Sequence, residues 1–230
     1  MSGAGIVAPG QPPVIAIDGP SASGKGTVAQ AVADTLEFHY LNSGALYRTV
    51  AQAALESGAN LENESILYNI ALKIKVKFNI ESVEIEGRDV SDAIRSEAVG
   101  AAASRIAALP AVRKALLERQ RAFRRPPGLV ADGRDMGTVV FPDAVLKIYL
   151  TATPEERAAR RYKQLMAKGM GASMAALLQD IRERDARDGT RSVAPLRKAA
   201  DAVLINTTGI PAADAVAQVL ALYKQAPQAP

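Results

Sequence analysis

Cysteine and tryptophan are absent from the 230-residue chain, and it holds a single histidine. Without thiols there can be no disulfide and no thiolate metal site. Aromatic residues make up only 4% of the sequence, which disfavours a base-stacking platform and hence a nucleic-acid partner. No apolar run is long enough to cross a bilayer, so no membrane partner is expected. Residues 1–13 lack a basic start and an apolar middle, the marks of a signal peptide. They read as a loose tail, as do residues 226–230, on a cytoplasmic protein taken by default as a monomer. One-sided charge is also lacking. The net charge of +4 is mild, and it suits an anionic small molecule as readily as nucleic acid. What is present is a 48% hydrophobic fraction and a length that fits one α/β domain.

The strongest local pattern lies near the start. Val14-Ile15-Ala16-Ile17-Asp18 reads as a buried strand. Gly19-Pro20-Ser21-Ala22-Ser23-Gly24-Lys25-Gly26-Thr27 follows, and then Val28, Val32 and Leu36 recur at helical spacing. Strand, glycine-rich loop and helix start in that order identify a phosphate-binding loop over residues 19–27. Glycines let backbone N–H groups converge on a phosphate without Cβ clashes. The helix N-terminus adds free donors and partial positive charge. Lys25 supplies a full charge to the β- and γ-phosphates. A turn holding a chance lysine is the competing reading, and it leaves the flanking strand and helix unexplained.

Further along, residues 38–41 make a second strand, 42–44 a turn and 45–56 a helix. His39 sits inside that strand as a packed or surface residue rather than a catalyst. Lys73-Ile74-Lys75-Val76-Lys77-Phe78 and Val83-Glu84-Ile85-Glu86 alternate, the period of half-exposed antiparallel strands, so residues 71–92 read as a small inserted sheet with a solvated lysine face. Residues 96–125 are mostly helical, basic and broken at Pro110. Strands follow at 129–132, 145–150 and 202–205. Thr153-Pro154-Glu155-Glu156 opens a helix, Gly169 and Gly171 break it, and a second helix carries Met174, Leu177, Leu178 and Ile181 on one stripe. Pro211 opens a last helix with Val216, Val219, Leu220 and Tyr223 inward. The expected fold is α/β: a five-stranded parallel sheet with helices on both faces, a small inserted antiparallel sheet and a helical lid. It is a single domain, with core segments 14–42, 126–152 and 200–225, an acceptor region at 43–125 and a lid at about 157–197. Such sheets bind ligands beyond the carboxyl ends of their strands, where Gly19, Ser43, Asp132 and Arg134 fall.

Two charged stretches carry the chemistry. Asp132, closing an apolar strand, is placed to help hold Mg²⁺ through water, with Thr27 a further candidate. Arg134 and Asp135 follow it. In Arg182-Glu183-Arg184-Asp185-Ala186-Arg187-Asp188-Gly189-Thr190-Arg191, helical spacing puts Arg184, Asp188 and Arg191 on one face. A solvated helix laced with i,i+4 ion pairs would look similar. Beside a phosphate loop, however, arginines suit bidentate phosphate contacts and transition-state charge. Arg157, Arg160 and Arg161 are weaker candidates of the same kind. No histidine base is available for acid–base work. A nucleoside monophosphate acceptor needs none, because its second pKa is near 6 and its nucleophilic oxygen is already anionic. A small hydroxylated acceptor would need a base, and Asp132 or Asp135 could serve.

Four segments, IDGPSASGKGT (17–27), NSGALYR (42–48), ADGRDMGTVVFPDA (131–144) and RERDARDGTRSVAPL (182–196), resemble the bacterial cytidylate kinases of the long type, whose members carry a small inserted sheet. The G-K-G-T ending of the loop is shared with many nucleoside monophosphate kinases. The resemblance implies that ATP with Mg²⁺ binds the loop, that CMP or dCMP is the acceptor, and that a mobile lid closes over both. By position it assigns Ser43, Arg48, Ser104, Arg113, Arg134 and Asp135 to the acceptor nucleotide. It places Arg184, Asp188 and Arg191 over the acceptor's sugar and phosphates. Lys25, Arg134, Arg184 and Arg191 are then the catalytic cations. Asn42 departs from the family, which usually has Asp before Ser-Gly or Thr-Gly, so no carboxylate role carries over there. The alternative is a related kinase of another nucleoside monophosphate or of a small hydroxylated metabolite, against which the arginine-rich segment argues. A regulatory switch or RNA-binding ATPase would need a partner surface, and the sequence offers neither aromatic platform nor switch motif.

Overall fold

The computed structural model describes residues 10–78, 82–167 and 169–226. The outer parts of both expected tails, residues 79–81 of the expected inserted sheet and Lys168 of the expected lid lie outside the described residues. The chain divides into two compact units, one of Met1–Leu41 with Phe123–Pro230 and one of Asn42–Ala122.

The first unit is built on a five-stranded parallel sheet in the order β2 (His39–Asn42), β6 (Leu129–Gly133), β1 (Val14–Asp18), β7 (Leu146–Thr151), β8 (Val203–Asn206). Central β1 is buried at all five positions, its first four as an apolar run in a covered parallel sheet must be, and the fifth is the carboxylate of Asp18. It pairs in parallel with β6 on one side and β7 on the other, setting Ile17 opposite both Asp132 and Ile148. The edges are β2 and β8. Helices α1 (Lys25–Leu36) and α8 (Ala212–Gln225) pack together over the sheet. Val28 and Val32 of α1 and Val219 and Tyr223 of α8 share one core with Ile15, Ile148 and Leu150. The other helices of this unit, α6 (Pro154–Met166) and α7 (Met174–Thr190), pair through Ala158, Leu165, Leu177 and Ile181. Pro154 begins α6, and the Thr153 hydroxyl accepts from the Glu156 N–H, as the sequence signature requires.

The second unit holds α2 (Ser43–Glu56), α3 (Glu64–Lys73), an antiparallel sheet of β3 (Val76–Phe78), β4 (Val83–Ile85) and β5 (Arg88–Asp89), then α4 (Glu97–Ile106) and α5 (Pro110–Arg121). Leu46, Val50, Leu67, Val99, Ile106 and Leu116 are among the residues of its core.

Three details differ from the sequence expectations. Residues 42–44 are not a separate turn, because the Asn42 side chain accepts from the Ala45 N–H at 2.9 Å and α2 begins at once with Ser43. The inserted sheet starts later than residue 71, because α3 continues through Lys73, and it has three strands instead of a pair. Arg191 is not on the helical face of Arg184 and Asp188. It is the C-cap residue, with extended ψ of 141°, because α7 ends at Thr190.

Candidate active site

The glycine loop joins β1 to α1 under tight steric limits. At Gly19 a side chain would begin 2.0 Å from the Leu150 carbonyl oxygen, so the loop crosses β7 where only glycine fits. Gly24 caps α1 with φ of 89°, and Lys25 is the first helical residue. The loop is held from outside by two arginines of α6. The Arg157 guanidinium donates to the Ser21 carbonyl at 3.2 Å and to the Ala152 carbonyl at 3.0 Å, and it grips both Asp185 oxygens. That of Arg160 donates to the Ser23 carbonyl at 3.1 Å and to the Thr207 carbonyl and hydroxyl. The Thr207 hydroxyl itself donates to Ser23 O. These two arginines, read from sequence as weak phosphate candidates, fasten the loop backbone. Within the loop the Ser21 and Ser23 hydroxyls are buried without a hydrogen-bond partner, two polar groups that could serve a ligand held there.

Lys25 is buried, and its ammonium donates to Pro20 O at 2.9 Å. Burial pushes its pKa down to about 7; the charges of Arg134 and Arg184 add to this, while Asp132 and Asp188 oppose it. The structure therefore brings Lys25, Arg134 and Arg184 within electrostatic reach of one another. Arg134, just past β6, donates from Nε to Asp188 Oδ2 of α7 at 2.9 Å. Burial raises the Asp188 carboxyl, but Arg134, Arg184 and Arg191 outweigh it and hold the group below the ordinary carboxylate range. Asp135 and Arg191, both with nearly buried side chains, lie 3.9 Å apart. The Arg191 Nε also donates to Ala194 O.

Asp132 is buried near the carboxyl end of β6 and accepts from the Tyr40 hydroxyl at 2.8 Å. A side chain at Gly26 would begin 3.2 Å from Asp132 Oδ2, so this glycine leaves the carboxylate open toward the loop. Thr27 is exposed in the first turn of α1. Among the described residues no cluster of three His, Cys, Asp or Glu side chains could hold a metal. A single carboxylate fits Mg²⁺, which keeps several waters and takes its other ligands from substrate phosphates.

The remaining residues assigned from sequence lie in the second unit. Ser43 and Ser104 are buried. Arg48 donates to the Ile94 and Ser96 carbonyls, and Gly100 lets it pass, since a side chain there would begin 2.8 Å from its Nη2. Arg113 donates to Ala107 O at 3.3 Å and stands 6.0 Å over the Tyr47 ring.

Sequence reasoning missed Asp18. Burial raises its carboxyl to about 7, reinforced by Asp135, although N–H donors from Gly137 and Met136 and the charge of Arg134 favour the ionised form. The one signal was a charged residue ending an otherwise apolar central strand.

Comparison with known proteins bears on what this cluster of cations does. The sequence model of the family described as cytidylate kinase matches residues 15–225. A cytidylate kinase from Nitrosomonas europaea is 55% identical, over 94% of this chain and 97% of its own. One from Pseudomonas aeruginosa is 58% identical, over 86% and 90% respectively. Among solved structures, a gluconokinase from Sinorhizobium meliloti is similar over 94% of both chains, with a TM-score of 0.48 and 17% identity, too distant to bear on function. On the family match and these identities, the chain belongs to the cytidylate kinase family.

Proposed function

We propose that this protein transfers the γ-phosphoryl group of ATP to CMP or dCMP, giving ADP and CDP or dCDP. The transfer is direct and in line: a phosphate oxygen of the monophosphate forms the new P–O bond as the bond to the ADP oxygen breaks. The observation that carries the reading is the buried lysine of a phosphate loop set among Arg134, Arg184, Asp132 and Asp188. No acid or base is required, because the nucleophile is already anionic at neutral pH. The work of the protein is to hold two polyanions together and to stabilise the charge that grows between them.

Residues 19–27 bind the triphosphate, with Lys25 on its outer phosphates. Arg134, Arg184 and Arg191 meet the transferring group. Ser43, Arg48, Ser104, Arg113, Arg134, Asp135, Arg184, Asp188 and Arg191 bind the acceptor. Asp132, through water, and Thr27 would hold Mg²⁺, which supplies charge neutralisation at the bridging oxygens. Residues 157–197 act as the lid. We assign the protein to the cytoplasm as a monomer, without nucleic-acid or membrane partners. Family membership leaves an alcohol acceptor without support. A coupled ADP-release assay with CMP, dCMP, UMP, AMP, GMP and shikimate tests the choice. CMP and dCMP are the expected best substrates, and faster turnover of any other overturns the reading.

The depressed pKa of Lys25 has a consequence at equilibrium. Near pH 8 the empty site holds this lysine mostly neutral, because its pKa is about 7. An incoming triphosphate restores the charged form, so binding takes up close to one proton per site at pH 8. Calorimetry of a non-hydrolysable ATP analogue in buffers of different ionisation enthalpy reads this directly. The uptake is expected in the wild type and absent in Lys25→Met.

Base choice follows from donor and acceptor chemistry. Cytosine offers an amino donor where uracil offers a carbonyl, and a carboxylate accepts only from the first. Asp135 is assigned to that edge. Asp135→Ala should narrow the ratio of kcat/KM for CMP to that for UMP by about tenfold or more, the effect of losing roughly 1–3 kcal/mol of polar pairing. An unchanged ratio places base reading elsewhere.

A further inference from the structure

Asp18 ends β1 immediately before Gly19, and its nearly buried carboxylate reaches a segment far along the chain. Oδ1 accepts from the Met136 N–H and Oδ2 from the Gly137 N–H, each at 2.8 Å. The gripped segment is tightly packed. Met136 is fully buried, and a side chain at Gly137 would begin 3.1 Å from the Lys147 Cγ and 3.5 Å from Asp18 Oδ2. Held there, residues Met136–Val140 form a single π-helical turn, with Val139 and Val140 N–H returning to Asp135 O and Phe141 N–H to Met136 O. The two residues just before the gripped amides are Arg134 and Asp135. Arg134 meets Asp188, and Asp135 faces Arg191.

We propose that Asp18 is a positioning residue for Arg134 and Asp135: with two hydrogen bonds it fixes the backbone from which both side chains leave, and so their register with Asp188 and Arg191. The inference rests on the reading that Arg134 and Asp135 serve the acceptor. A carboxylate is the side chain that offers two acceptor oxygens to two adjacent N–H groups. Asparagine would turn an NH₂ toward one of those donors, so the near-isosteric Asp18→Asn breaks the grip without opening a cavity. The phosphate loop has its own fastenings in Arg157, Arg160, Thr207 and the bond from Lys25 to Pro20. Releasing Asp18 therefore separates acceptor turnover from ATP affinity, which a general loss of structure would not do.

The test compares wild type with Asp18→Asn in three measurements: kcat/KM for CMP, the dissociation constant of a non-hydrolysable ATP analogue, and amide exchange at Met136 and Gly137. A displacement of about 1 Å at the reacting groups costs on the order of a hundredfold, so kcat/KM for CMP should fall about that much. ATP-analogue affinity should stay within about threefold of wild type while exchange at the two amides accelerates. Two results overturn the proposal: kcat/KM for CMP that stays within about threefold, or ATP-analogue affinity that falls in parallel with it. Should Asp18→Asn not fold, the wild-type amides decide, because rapid exchange at Met136 and Gly137 contradicts the grip. A wild type that fails to phosphorylate CMP refutes the underlying reading instead, and it is scored separately.

Discussion

Lys25→Met should lower turnover of CMP by about a thousandfold, because a preorganised charge on the phosphate being transferred is among the largest single contributions such a site makes. Methionine keeps the apolar stem and removes only the charge and the bond to Pro20 O. The fold should survive, and pH shows why. The native lysine has its pKa held near 7 against 10.5 for the free group, so between those values the unfolded chain binds more protons than the folded one. The lysine's effect on wild-type stability therefore rises with pH across that window, and it is most adverse at pH 7 and below. Lys25→Met lacks this dependence. Its melting temperature relative to wild type should be highest at neutral pH and decline toward pH 10. Near-normal turnover in a folded Lys25→Met protein would remove the phosphate-loop assignment.

Arg191→Ala should reduce kcat by about a hundredfold or more, the usual scale for one cation that acts on transition-state charge. The ATP-analogue dissociation constant should change far less, since ground-state binding is carried by the loop. Arg191→Lys should recover only part of the loss, because it keeps the charge but not the planar fork. The position is sensitive because this side chain is already nearly buried beside Asp135 and fixed through Nε to Ala194 O. Equal losses in kcat and ATP affinity would make Arg191 a binding residue and not a catalytic one.

The parts of this molecule that could be read from sequence are those in which local pattern and tertiary role coincide. The run Val14–Ile17 is apolar because it is the centre of a covered parallel sheet, and the glycines after Asp18 are demanded by Leu150 O and by the α1 cap. Helix α3 was hidden because it buries only Leu67 and Ala71, while Ile66 and Leu72 are exposed, which blurs its stripe. Its last residue also begins the alternating run Lys73–Phe78, so two periods overlap. The i, i+4, i+7 spacing of Arg184, Asp188 and Arg191 suggested one face, but spacing does not reveal where a helix stops. Thr190 is the last residue of α7, and Leu196 N–H bonds back to Asp188 O, drawing the following chain across its end. The turn at Met136–Val140 and the role of Asp18 were illegible for a different reason. Each exists only because a strand end meets a loop more than a hundred residues away, and no local pattern encodes such a meeting.

The most direct test of the central claim follows the phosphorus atom. Incubated with ATP labelled in its γ-phosphate and with CMP, the protein should move the label into CDP, one labelled CDP for each ADP formed. Label released as inorganic phosphate while CMP stays unchanged would contradict the account.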